Sequence, residues 1–164
     1  MQRLMQRLML GSLLALAAAL PLNALAGDTL QRVVDFKVLK VGMSGNQPPM
    51  SMTNREGGMM GFDVDLAKAL ADAMKVKLEI VPMPFGELMK ALQDNKVDMV
   101  MSGLSITPER TEMVSFVGPY MMSGKSILTK NSVLARIEAS NDFNRKDLKL
   151  LALSNSTSAS FVRT

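Results

Sequence analysis

Cysteine, histidine and tryptophan are absent from the 164 residues, tyrosine occurs once, and aromatic residues make up 4% of the chain. Each absence removes a chemistry. Without cysteine there is no disulfide, thiol nucleophile or thiolate metal ligand, and without histidine there is neither a Cys/His zinc site nor a Ser-His-Asp triad. A strong charge of one sign is missing too: 19 Lys and Arg stand against 15 Asp and Glu, dispersed along the chain. Nucleic-acid binders cluster their basic residues and interleave them with aromatics, so no nucleic-acid partner is expected.

Methionine, by contrast, is abundant, with 16 copies that include close pairs at Met50 and Met52, Met59 and Met60, Met99 and Met101, and Met121 and Met122. Thioethers favour Cu(I), but methionine also replaces Leu, Ile and Phe as an adaptable core filler. The filler reading is the simpler one. No metal and no cofactor is expected.

Residues 1–26 read as a cleaved export signal. Arg3 and Arg7 give a positive start, Leu8 to Leu22 is an apolar stretch, and Ala24-Leu25-Ala26 is the small-x-small pattern that a signal peptidase accepts. The apolar run is shorter than the roughly 20 residues of a membrane span, and Pro21 interrupts it. No cysteine follows to carry a lipid, so a Gram-negative periplasm is the expected compartment. Removing 26 of the 164 residues leaves 138, with 17 basic residues facing 15 acidic ones. That is enough for one domain with a core and too few for two ordinary ones.

Along the mature chain, residues 27–37 carry no clear pattern and are expected to form a loose N-terminus. Val38 to Met43 reads as a strand, and Ser51 to Phe62, with Asn54 and Gly57-Gly58, as a hairpin. From Asp63 the period becomes helical, with Ala67, Leu70, Ala71 and Met74 on one face and Asp63 and Asp65 at the dipole-favoured N-terminus. Lys77 to Val81 is a second strand, Gly86 to Asp94 a short helix, and Val97 to Met101 a third strand of the doubly buried kind. This alternation is the α/β signature. Thr107, Pro108 and Glu109 are predicted to cap and open a further helical turn. Val114 to Phe116, Ser126 to Thr129 and Leu150 to Leu153 read as further strands, and Ser140 to Leu148 as charged and containing a short helix.

In open α/β sheets ligands bind beyond the carboxyl ends of the strands. Three loops have that placement and a suitable character: Ser44 to Pro49, Ser102 to Arg110, and Ser154 to Ser158. The second brings hydroxyls, free backbone N–H groups and the Arg110 guanidinium within nine residues, a set matched to a carboxylate. From spacing alone Arg110 is equally a surface residue paired with Glu109 or Glu112. The third loop sets Ser156 and Thr157 where a helix would start, a ready anion site.

At Gly61-Phe62-Asp63-Val64-Asp65-Leu66-Ala67 and Ser102-Gly103-Leu104-Ser105-Ile106-Thr107-Pro108-Glu109-Arg110 the sequence resembles the periplasmic polar amino-acid-binding proteins, family 3 of the solute-binding proteins of ABC importers. The likeness continues through Val81 to Phe85, Val97 to Val100, Phe116 to Tyr120 and, more weakly, Leu148 to Ser158. It implies a type II clamshell of two α/β lobes closing on the ligand. Under that resemblance residues 38–128 form the first lobe, and 129–164 the crossover and the start of the second.

The resemblance also implies roles. Arg110 holds the ligand α-carboxylate, helped by the backbone N–H groups of Ser105 and Thr157. The Gly103 carbonyl and Ser105 hydroxyl accept from the α-ammonium, Ser102 lines the same wall, and Phe85 packs on the ligand side chain. Gln47 stands where the family usually has an aromatic ring, which points to a polar ligand or reduced affinity. Ser44 replaces an Asp common in binders of cationic side chains, which argues against Lys, Arg or His. The expected partners are an amino acid or small carboxylate and an inner-membrane permease, with the protein acting as a monomer and without catalysis. The alternatives are a periplasmic cyclohexadienyl or arogenate dehydratase on the same fold, and a non-functional fragment, since the chain stops seven residues after Thr157.

Overall fold

The computed structural model describes residues 27–130 and 147–163. Its centre is β1 (Val38–Met43), a strand flanked on both edges by parallel partners. On one side β5 (Lys77–Pro82) pairs along the whole strand, from Val38 opposite Lys77 to Met43 opposite Pro82. On the other, β6 (Met99–Val100) pairs with Val41 and Gly42.

Helices cover both faces. Leu39, Val41 and Met43 alternate onto one face of β1 and share a core with Val33, Val64, Ala67, Ala71 and Met101. Val33 comes from α1 (Asp28–Phe36), and Val64, Ala67 and Ala71 from α2 (Phe62–Met74). Burying each Val or Met side chain here contributes about 1.5 to 3 kcal/mol. On the opposite face Gly42 leaves room for α3 (Leu88–Gln93): a Cβ on Gly42 would come within 3.2 Å of Leu88 Cδ2 and 3.4 Å of Val97 Cγ2. A one-turn 3-10 segment, Phe85–Glu87, leads into α3.

A second, antiparallel sheet of β2 (Asn46–Gln47), β3 (Ser51–Thr53) and β4 (Met59–Met60) fills the expected hairpin region and adds a strand to it. Its turn is held by Asn54, whose Oδ1 accepts from the N–H groups of Glu56 (3.0 Å) and Gly58 (2.7 Å). The predicted strand Lys77 to Val81 and the helices from Asp63 and Gly86 are present within a residue or two, while β6 keeps only two of its five expected residues.

Other expectations are corrected. Residues 27–37 are not loose. They form α1, because Val33 is buried in the core, Gln31 donates to Asp35 one turn on, and Arg32 pairs with the mostly buried Asp98. Asp98 also accepts from the Lys40 N–H at 2.7 Å, so one carboxylate fastens α1 to the central strand. Val114 to Phe116 and Ser126 to Thr129 are not strands, and Leu150 to Leu153 is neither a strand nor buried, with Leu151 98% exposed. β-branched and apolar composition makes a strand only where a neighbouring strand can complete the ladder, and none pairs with these segments among the described residues. The helix expected within Ser140 to Leu148 lies outside the described residues except for its last two, which are not helical.

Gly61 sits at the N-terminus of α2 with φ 126°, and a Cβ there would meet the Met50 and Pro49 carbonyl oxygens at 2.6 and 2.8 Å. Those carbonyls accept from the N–H groups of Asp63 and Phe62, so neither can retreat without losing a bond. Gly61→Ala is expected to destabilise the fold by about 2 to 4 kcal/mol, measured as a lowered midpoint in urea unfolding.

Candidate functional site

The order β5-β1-β6 reverses direction at the β1/β6 boundary, so the loops after these two strands diverge and open a crevice at their carboxyl ends. The crevice floor is a serine clasp. Ser102 Oγ accepts from the Ser44 N–H at 2.9 Å and lies 2.8 Å from Ser44 Oγ. One hydroxyl donates to the other, and Ser102 is fully buried. The structure brings the two together as expected but turns Ser102 inward, as a tie between loops.

After Ser102 the chain turns through Gly103 at φ 56°, where a Cβ would lie 3.2 Å from Gln47 Oε1 and 3.4 Å from Met50 Cγ. Gln47, at the end of β2, therefore borders the Gly103 turn, and its Oε1 is buried without a hydrogen-bond partner among the described residues. Asp63, expected to help cap α2, does otherwise: no side chain caps that helix, and Asp63 Oδ2 accepts from the Gly103 N–H at 2.8 Å. Tyr120 donates to its other oxygen at 2.9 Å, and the Tyr120 ring stacks on Phe62 with centroids 6.0 Å apart.

Arg110 belongs to α4 (Pro108–Thr111), whose N-cap Thr107 accepts from the Arg110 N–H at 3.3 Å as predicted. Its guanidinium lies 5.9 Å from the centroid of the buried Phe85 ring. One terminal nitrogen donates to the Ser105 carbonyl and the other to the Asn155 carbonyl, each at 2.9 Å. Neither Glu109 nor Glu112 forms an ion pair with it among the described residues. The Glu109 backbone N–H and the Thr107 hydroxyl, and to a lesser extent the Arg110 charge, hold the Glu109 carboxyl below the usual range. Burial pushes the Arg110 guanidinium down from its ordinary value, partly offset by Glu109.

The third loop meets the second through Asn155, whose carbonyl accepts from Arg110. Its carboxamide packs on Gly86, where a Cβ would stand 2.7 Å from Asn155 Nδ2. Ser156 caps α5 (Thr157–Arg163), its Oγ accepting from the Ala159 N–H at 3.1 Å and donating to the Leu153 carbonyl at 2.6 Å. Thus Phe85, Ser105, Arg110 and the 155–157 turn form one group, and Gln47, Gly103 and the Ser44–Ser102 clasp another beside it. Three contributors are visible only in the structure: Asp63, Tyr120 and Asn155. Asp63 had a signal, since it shares the buried α2 face with Ala67 and Ala71 at four-residue spacing. Among the described residues no group of three or more Asp, Glu, His or Cys is gathered as a metal site.

The sequence profile of the bacterial extracellular solute-binding proteins, family 3, matches residues 39–163. The chain belongs to that family. It is 35% identical over 150 residues to a cyclohexadienyl dehydratase of Pseudomonas aeruginosa, covering 92% of this chain and 56% of the enzyme. It is 36% identical over 107 residues to the L-arginine-binding protein of the same species, covering 65% of this chain and 40% of that protein. Among solved structures it resembles an ancestral amino acid-binding protein described as a precursor of cyclohexadienyl dehydratase, with TM-score 0.78 and 39% identity over 83% of this chain and 60% of the other. The chain thus spans about half the length of the curated relatives it matches. The family is one of extracellular solute-binding proteins, with L-arginine- and L-cystine-binding proteins among the relatives, and the mixed α/β fold with its parallel sheet agrees with them.

Tyr120 is the only tyrosine in a chain without tryptophan, so phenolate absorbance reports it alone. Burial, followed by the Asp63 charge and hydrogen bond, raises its ionisation well above the ordinary value of about 10. The neutral phenol is the form favoured by folding. Its stabilisation is therefore complete below pH of about 10 and is lost as pH climbs through the raised folded value. Alkaline titration of phenolate absorbance is expected to show ionisation later than in free tyrosine, and Asp63→Asn to bring it earlier.

Proposed function

We propose that this chain captures an amino acid, or a similar small carboxylate, in the periplasm and presents it to the permease of an ABC importer. The observation that carries this reading is the state of Arg110. Its guanidinium is half-buried over Phe85, held only by two neutral carbonyls, and unpaired with any acid among the described residues. A carboxylate entering beside it would exchange neutral acceptors for charge-assisted, two-pronged bonds of roughly twice the strength. The Ser105 and Thr157 backbone N–H groups are the further donors to that carboxylate in this reading, and the Gly103 carbonyl and Ser105 hydroxyl are the acceptors for the α-ammonium. Ser44, Ser102 and Ser156 shape the loops that present these groups. Gln47 in place of a ring favours a ligand with a polar side chain. Residues 1–26 act as the cleaved signal, and the protein works as a monomer.

A dehydratase is the second reading, favoured by the 35% identity to cyclohexadienyl dehydratase over 92% of the chain. Dehydration needs a positioned proton donor. The candidate site offers hydroxyls, an amide and a guanidinium, and its neighbouring carboxylate, Asp63, is wholly buried against Gly103 and Tyr120. Incubation with prephenate separates the two, because formation of an aromatic product would establish the enzyme.

Arg110→Ala is expected to weaken binding of the preferred amino acid by about 2 to 5 kcal/mol. Calorimetric titration with each standard L-amino acid and with L-cystine checks it, and equal affinity in both forms would remove Arg110 from the site.

A further inference from the structure

Asp63 is wholly buried and forms no ion pair with any lysine or arginine among the described residues. Its two bonds come from neutral donors, the Gly103 N–H on one oxygen and the Tyr120 hydroxyl on the other. An amide N–H can only donate, and so it demands an acceptor. A carboxylate presents two acceptor oxygens and an asparagine only one, so the arrangement suits Asp as drawn. Phe62 stacks on Tyr120 and keeps the phenol in place. Gly103, the residue so gripped, is wedged between Asp63 and Gln47 in a left-handed turn that a Cβ would crowd.

We propose that Asp63 is a positioning residue for ammonium recognition: by holding the Gly103 N–H it fixes the left-handed Gly103 turn, and with it the direction of the Gly103 carbonyl on the next peptide unit, and it places a negative charge beside that turn. The inference rests on the reading of the Gly103 carbonyl as an acceptor for the ligand α-ammonium. A buried charge is weakly screened, so an ammonium arriving at the Gly103 carbonyl is attracted both by that carbonyl and by the carboxylate beside the turn. A carboxylic acid without the amino group gains nothing from either. Selectivity between the two ligand types is therefore the property that Asp63 controls, and a purely structural residue would alter affinity for both alike.

The test is calorimetric titration of the full chain and of Asp63→Asn. The probes are each standard L-amino acid and, for the tightest of these, the matching carboxylic acid that lacks the α-amino group. Asp63→Asn is expected to lose about tenfold in affinity for the amino acid and less than about twofold for the deaminated acid. If Asp63→Asn does not fold, Tyr120→Phe serves instead, since it frees one carboxylate oxygen and lets the charge swing away from Gly103. A loss of about threefold, again confined to the amino acid, is expected of it. Equal losses for both ligands, or none, overturn the inference while leaving the binding reading intact. Failure of the unaltered chain to bind any amino acid overturns both.

Discussion

Everything in this molecule hangs on β1 being paired on both edges and covered on both faces. A six-residue strand with parallel neighbours on either side has one place where the sheet order reverses, and the loops leaving the two strands at that point must part. The serine clasp closes the bottom of the gap by joining those loops directly. The crevice is thus a product of topology first and of side chains second. Asp98 strengthens the same strand from below, with α1 and the Lys40 amide bonded to one carboxylate.

On this scaffold the Ser102 to Arg110 loop runs between two charged side chains that form no ion pair among the described residues. Asp63 lies behind its beginning and Arg110 at its end. Burying a charge without an opposite partner costs several kcal/mol, even with hydrogen bonds, so the wholly buried Asp63 is an unusual expense for stability alone. In the proposed reading, the polarity of the two side chains would suit a zwitterion, with the ammonium toward Gly103 and the carboxylate toward Arg110.

Much of the core was legible in sequence, and for identifiable reasons. Val38 to Met43 and the α2 face at Ala67 and Ala71 carry their own periodicity, which burial then follows. Thr107 reads correctly as a cap because capping is a local hydrogen bond. Arg110 was legible as a candidate, but spacing left an ion pair with Glu109 or Glu112 equally open, and only the fold shows the guanidinium donating to the Ser105 and Asn155 carbonyls. What failed depends on distant partners. α1 is held by Asp98, 66 positions beyond Arg32 in the chain. The segments around Val114, Ser126 and Leu150 have strand composition without a strand beside them. Asp63 looks like a helix-dipole residue until Gly103 and Tyr120, 40 and 57 positions away, are seen converging on it.

The bond between Tyr120 and Asp63 also turns the molecule into its own indicator lamp. A phenol hydrogen-bonded to a carboxylate emits poorly, because the excited ring hands its proton to the acceptor, and no indole is present to outshine it. Any rearrangement of the Gly103 turn that parts the pair would brighten the protein without a dye, and any that tightens the pair would dim it further.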